Sequence, residues 1–312
     1  MTALPYRYLL AGSLVATLIL TTIFVRPAHP DLWAQAVFDW LHVPVCGLMA
    51  VSVFLMSPSR WDWRFRMLVA AMTAALLGFL TEAVQTLQPA RSASAHDILN
   101  DMLGAAAFLS LLIALTPGLS VSRHLRTLLL ILSAGLVGWS LTPPAKIFMA
   151  YVERYRQVPS IAPVSSRNSR LFFDLENTIV RYLDGPEPGA VEPEFLFGGD
   201  GSASIDFHDP WPNWSDSDLL ILDISNMEST PLSVTLRIHD REHLRGDQPG
   251  SDRFRSRLTI PPGRHALTFA MQEIESAPDS RGMDLTRIDG LVIYRSSQDS
   301  GRRFRIHDIR LE

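Results

Sequence analysis

The sequence predicts a multi-domain protein: an α-helical transmembrane bundle of about five helices, followed by an all-β sandwich of the jelly-roll kind. Three observations predict it. Long apolar segments fill the chain up to Leu141, the pattern shortens to alternating runs from Arg170 onward, and the charge changes sign between the two parts. From Arg170 to the C-terminus there are 25 acidic and 16 basic side chains, a net of −9, whereas the preceding part has 7 and 12, a net of +5. A basic half and an acidic half of one chain face different surroundings.

Five apolar segments approach the roughly 20 residues that a helix needs to cross a hydrocarbon core. They run from Tyr8 to Val25, Ala36 to Met56, Met67 to Val84, Ile98 to Leu115 and Leu125 to Leu141. A helix closes all its backbone hydrogen bonds within the segment, which makes it the only open structure suited to lipid. The first segment has the length of a signal-peptide core, but no A-x-A site follows it, so it reads as a retained helix. The single cysteine, Cys46, lies in an apolar run and excludes an intrachain disulfide.

Loop charges predict the orientation. Arg60, Arg64 and Arg66 separate the second and third segments, and Arg123 and Arg126 the fourth and fifth, whereas the alternate loops carry only Arg26 and Arg91. Arginine-rich short loops stay in the cytoplasm, so the N-terminus is expected inside and the β-rich part outside. His42, Glu82, Gln85, Asp97 and Asp101 then fall toward the outer face. Glu82 and Gln85 are three apart and Asp97 and Asp101 four apart, which sets each pair on one helix face.

Ionisable groups at membrane depth cost about 2.5 to 3.5 kcal/mol each, so they turn inward and find partners. Two readings follow. In one, Arg91 neutralises Glu82 or Asp97 and clasps two helices together. In the other, Arg91 grips a phosphate while the carboxylates hold a cation or move a proton, with His42 assisting. Gly104, followed by Ala105 to Ala107, offers small residues for close helix packing. His96, beside Asp97, reads as an interfacial residue.

The run Glu82-x-x-Gln85, Pro89, Arg91, Asp97, Asp101 and Gly104 resembles the signature of VanZ-like membrane proteins, over roughly residues 8 to 141. His42 is similar to that family's histidine in an earlier helix. The chain departs from the family's D-K-x-x-H, having Asp39-Trp40-Leu41-His42, one residue shorter and without the lysine. The resemblance implies a multi-pass protein of the bacterial cytoplasmic (inner) membrane and cell envelope, since the family's namesake is associated with resistance to the glycopeptide teicoplanin. It supplies no reaction.

Pro143 and Pro144 are expected to halt the last helix and open a linker over 146–168, in which Lys146 to Arg156 has the spacing of a short interfacial helix. The membrane domain is therefore expected over 1–145 and the sandwich over 169–312. Alternating runs predict seven strands: Ser204 to His208, Leu219 to Ile224, Leu232 to His239, Arg257 to Ile260, His265 to Met271, Leu291 to Arg295 and Phe304 to Leu311. The runs around Leu220 to Asn226, Leu236 to Asp240, Ile260 to Gly263 and Ile288 to Leu291 resemble galactose-binding-like sandwiches used as carbohydrate-binding modules. In such folds exposed aromatic faces stack on sugars, and Trp211 and Trp214 are the candidates here, unless they plug the end of the core. The same loop offers Asp209, Asn213, Asp216 and Asp218 as oxygen donors for a divalent cation, though without EF-hand spacing.

The candidate sites are therefore Glu82, Arg91, Asp97, Asp101 and His42 for catalysis, and Gln85, Arg91, Trp211 and Trp214 for ligand binding. No basic, aromatic-interleaved patch supports nucleic-acid binding, and no G-x-S-x-G, H-E-x-x-H or phosphate loop supports the corresponding enzymes. The leading expectation is a non-catalytic envelope factor that binds glycan or a lipid-linked saccharide without a resident cofactor. The alternatives are a membrane enzyme acting on a lipid-linked phosphate or glycan, and a structural or sensory scaffold that docks a protein.

Overall fold

The structure is a computed structural model that describes residues 31–86, 94–161, 164, 166–185, 191–199, 201–247, 249–295 and 301–312. The expected helix from Tyr8 to Val25 and the connection bearing Arg91 lie outside the described residues. The chain divides into two compact units between Phe148 and Met149.

The first unit is helical. Helices α1 (Leu32–Met56), α2 (Trp63–Gln85), α3 (Ala95–Leu115) and α4 (Arg123–Ser140) each begin behind a side chain that accepts a first-turn backbone N–H: Asp31, Asp62, Ser94 and Ser122. Such caps satisfy donors that the helix itself leaves unpaired. At the far ends of α1 and α3, Arg66 donates to the Phe54 carbonyl and Arg126 to the Ala114 carbonyl, both at 2.8 Å. An arginine in the first turn of α2 and one in the first turn of α4 therefore close the ends of the helices before them.

Three of these helices, α1, α2 and α3, are long and apolar enough to cross a membrane. The expected fifth span is instead half of a bent pair: α4 and α5 (Thr142–Arg156) meet at 42° across Leu141. Pro143 and Pro144 bend the chain but do not end its helical course, because proline in a first turn sacrifices only an N–H that would be unpaired anyway. The expected linker from residue 146 is therefore helical as far as Arg156.

Polarity in this unit is inverted relative to a water-soluble domain. Phe65, Leu68, Met72, Leu76 and Phe79 form an exposed stripe along α2, while Thr81, Glu82, Asn100, Asp101 and Ser110 are buried. An apolar exterior around a polar interior is what lipid selects. Close approach of α1 to α3 rests on glycine. An ideal Cβ built on Gly104 would stand 2.0 Å from the Val43 carbonyl oxygen, and one on Gly47 would collide with the Phe108 ring. The matched pairs 42 with 101, 43 with 104 and 47 with 108 make α1 and α3 parallel neighbours. Helix α2 runs antiparallel to α3, with Gly78 against Asp101 and Glu82 against Ser94.

The second unit is a two-sheet antiparallel sandwich of ten strands. One sheet has the order β1 (Phe173–Glu176), β4 (Ser204–His208), β9 (Ile288–Arg295), β6 (Leu232–Asp240), β7 (Phe254–Ile260). The other has the order β2 (Thr178–Asp184), β3 (Val191–Phe197), β10 (Arg303–Leu311), β5 (Leu219–Asn226), β8 (Gly263–Ala270). Alternate residues turn inward, so Phe195 and Phe197 of β3, Ile205 and Phe207 of β4 and Phe304 and Ile306 of β10 meet in one core.

A polar clasp lies beside that core. Asp240, fully buried, accepts from both terminal nitrogens of Arg281 at 2.5 and 2.8 Å and from the backbone N–H groups of His243 and Asp284. Arg281 also donates to Asp252 at 2.7 Å. Burial alone would raise the Asp240 pKa, but these donors outweigh it and hold the carboxyl below the usual carboxylate range. Next to it His239 lies flat on Gly290, where any side chain would overlap the imidazole. Burial first, and then the cationic neighbours Arg237, His243 and Arg253, lower the His239 pKa to about 4.

Candidate functional site

At one end of the helical unit, three helices deliver four titratable side chains to one place. His42 stands on the third turn of α1, Glu82 on the last turn of α2, and Asp97 and Asp101 on the first two turns of α3. Because α1 and α3 run parallel and α2 opposes them, these positions converge. His42 Nδ1 lies 3.1 Å from Asp101 Oδ1. Single donor atoms of His42, Glu82 and Asp97 all fall within 4.8 Å of one another, the one such group of three or more His, Cys, Asp or Glu among the described residues.

The details assign different work to the carboxylates. A carboxylate accepts, so the Asp101 contact places the His42 ring proton on Nδ1 and leaves Nε2 with its lone pair. The other Asp101 oxygen, Oδ2, is buried, faces Gly78 and has no hydrogen-bond partner among the described residues. Glu82 is only 1% exposed; its Oε2 accepts the Ser94 N–H at 3.1 Å, and its Oε1 is buried without a hydrogen-bond partner among the described residues. Ser94 in turn caps α3 through the Asp97 N–H. Among the described residues, three carboxyl groups thus share one imidazole, with Glu82 and Asp101 buried and His42 and Asp97 partly buried.

Sequence reasoning located His42, Glu82, Asp97 and Asp101 but missed the residues that seat them. Asn100, buried on α3, donates to the Asp39 carbonyl at 3.0 Å and ties α3 to α1 one turn before His42. Gly78 leaves the room that Asp101 occupies. Its position four residues before Glu82, on the same helix face, was the available signal. Gln85 belongs to α2, but its side chain lies outside the described residues, as does Arg91. A cleft of about 190 Å³, lined in part by Asp39, Trp40, His96, Asn100, Pro143 and Ile147, opens between α1, α3 and the start of α5. His96, assigned above to an interfacial role, is exposed and borders this cleft.

In the second unit the two tryptophans part ways. Trp214 is 0% exposed, donates from Nε1 to the Trp211 carbonyl and is held through its own N–H by the Leu285 carbonyl. It plugs the sandwich core and offers no face to a sugar, which corrects its candidacy for ligand binding. Trp211 is half-buried, lies 5.8 Å from the Tyr155 ring and joins Tyr151, Arg154 and Tyr155 around a shallow cleft of about 300 Å³. Of the loop donors, Asn213 Oδ1 accepts from Ser215 N–H and Oγ–H, and Asp209, Asp216 and Asp218 form no converging group among the described residues.

No family model matches the chain, and no curated protein matches it. Solved structures similar to it cover the sandwich. A family 11 carbohydrate-binding module from Clostridium thermocellum, in complex with a mixed-linked tetrasaccharide, is 16% identical over 45% of this chain and 88% of its own, with a TM-score of 0.34. A carbohydrate-binding module of family 28, described as specific for non-crystalline cellulose, is 13% identical over 50% of this chain and 93% of its own, with a TM-score of 0.33. An exo-beta-agarase is 14% identical over 45% of this chain and 23% of its own, with a TM-score of 0.36.

Proposed function

We propose that this protein is a cell-envelope factor of the cytoplasmic membrane that recognises a lipid-linked saccharide through the His42, Glu82, Asp97 and Asp101 cluster. In this reading the sandwich stands outside the cytoplasm and engages envelope glycan. The VanZ-like pattern of residues 82–104 belongs to the same reading. One observation carries it: charged groups from three apolar helices meet at one end of their bundle, with buried carboxylate oxygens that have no hydrogen-bond partner among the described residues. Charge inside a membrane bundle is expensive and persists where it handles a polar ligand. Arg66 and Arg126, in the first turns of α2 and α4 at the opposite end of the bundle, support an outer-face position for the cluster.

The test uses the full chain in nanodiscs, with a polyprenyl-phosphate-linked saccharide titrated in. Saturable binding that drops at least tenfold in Glu82→Gln and in Asp97→Asn is the expected result. Binding unchanged in both variants, or no saturation at all, would remove the reading. A second reading is favoured by the His42–Asp101 pair, whose geometry suits an imidazole base with Glu82 and Asp97 as further acid–base groups: an enzyme acting on the same lipid-linked phosphate. Turnover of that substrate, lost in a folded Asp97→Asn variant, distinguishes it from simple binding.

A further inference from the structure

We propose that His42, Glu82 and Asp97 bind one divalent transition-metal ion of the zinc or manganese class, with Asp101 as the residue that positions His42. The inference concerns the cluster assigned above but does not depend on which molecule the cluster recognises.

Four observations carry it. First, the donor atoms are already gathered. Two ligands at about 2.2 Å from one ion lie at most about 4.4 Å apart. The 4.8 Å limit on this group is therefore a few tenths of an ångström from closure, within the reach of small side-chain rotations. Second, the imidazole is set in advance. Metal-bound histidines hand their other ring N–H to a carboxylate, which fixes the ring and makes it more basic. Asp101 Oδ1 takes that N–H here, and its other oxygen sits in the space that the missing side chain of Gly78 leaves. Third, Glu82 is 1% exposed, and the oxygen left over after the Ser94 N–H has no partner among the described residues. A side chain held in the bundle with one oxygen satisfied and one open is a ligand in waiting. Fourth, the charge favours a cation. Glu82, Asp97 and Asp101 as carboxylates around a neutral imidazole give −3, which a divalent ion reduces to −1 inside a medium where unpaired charge is costly.

The donor set selects the class of ion. One nitrogen and two carboxylates suit zinc, manganese or ferrous iron, whereas magnesium and calcium prefer oxygen alone. An ion in this position would also offer a phosphate oxygen a coordination position, where carboxylates alone would repel it.

The experiment takes the full chain in nanodiscs without added lipid-linked saccharide, strips it with a chelator and titrates Zn²⁺ and, separately, Mn²⁺. About one ion per chain and a rise in unfolding temperature are expected. Glu82→Gln should lose the ion, and Asp101→Asn should weaken binding by about 10- to 100-fold while keeping the stoichiometry. Asp216→Asn, in the loop of the sandwich, should change nothing. Fewer than about one ion per ten chains, or equal uptake by Glu82→Gln, overturns the proposal. If Glu82→Gln does not fold, Mn²⁺ bound to the unsubstituted chain is read by pulsed electron resonance: coupling to an imidazole nitrogen supports the site, and its absence overturns it. Ion uptake without saccharide binding removes only the proposed function. Saccharide binding by chelated protein that takes up no ion removes only this inference.

Discussion

Replacing Gly104 with alanine tests whether helix packing and the polar cluster are one structure. The added Cβ would stand 2.0 Å from the Val43 carbonyl oxygen, about 1.4 Å short of the 3.4 Å at which ordinary contact begins. The obstacle is backbone on both sides, so no rotamer change relieves it and α1 must move away from α3. One turn away, the 3.1 Å contact between His42 and Asp101 would open to about 4.5 Å if the whole displacement reached it, beyond hydrogen-bonding range. Overpacking of this kind costs about 1–3 kcal/mol. Thermal or denaturant unfolding in nanodiscs measures that cost, and ion titration measures the loss of His42 orientation, expected at about tenfold or more. Gly135→Ala, where a Cβ meets open space inside α4, is the control and should stabilise the protein by up to about 1 kcal/mol through helix propensity alone. A Gly104→Ala variant as stable as that control would refute the parallel α1–α3 contact on which the site geometry rests.

Other perturbations report on the sandwich. Trp214→Ala empties a fully buried site and should destabilise that unit by about 3–5 kcal/mol in denaturant unfolding, whereas Trp211→Ala, half-buried, should cost clearly less. Arg281→Ala strands the buried Asp240 carboxylate and should cost about 3–5 kcal/mol at pH 7; the loss should shrink as pH falls through the carboxylate range, where protonation removes the stranded charge. His239 is neutral in the fold down to about pH 4 but titrates near 6.5 when unfolded, so the unfolded chain binds the extra proton between those values. Its contribution is present above pH 6.5 and is lost as pH falls toward 4, by about 3 kcal/mol in all. His239→Phe should flatten that part of the stability profile, and an unchanged profile would show that another group governs it.

The elements visible in the sequence were those with strong periodicity. All seven expected strands exist, with ends shifted by up to three residues; β4 and β10 largely alternate between core and solvent, whereas β5, β6 and β9 carry runs of buried residues. The three missed strands lie between Phe173 and Phe197. There, Asn177 in a left-handed conformation separates β1 from β2 by a single residue, and Pro193 sits inside β3, so neither gap nor strand matches its usual composition. Beyond the prolines the expected helix over Lys146 to Arg156 is present and begins earlier, at Thr142, because proline in a first turn gives up only an N–H that has no helical partner anyway. At the site, the titratable residues were visible because charge is rare in apolar segments. Asn100, Gly78 and Gly47 were not, because their value lies in which neighbouring helix they meet, and that depends on the parallel arrangement of α1 and α3.

That arrangement also bears on why the charges are there. A buried polar cluster is weak evidence for stability, because apolar residues of the same volume often hold a core better. In this bundle the apolar alternative was available. Ala50, Phe54, Ala70, Ala74, Ala105 and Leu109 already pack α1, α2 and α3 together in a dry cluster. The titratable groups stand apart from it, toward the end where α1 and α3 begin. Glycines at 78 and 104 make room for them, although glycine weakens a helix by about 1 kcal/mol relative to alanine. Packing alone would favour larger apolar residues at these places. Giving up helix stability to bring His42, Asp101 and Glu82 together is what the ligand site proposed above would require.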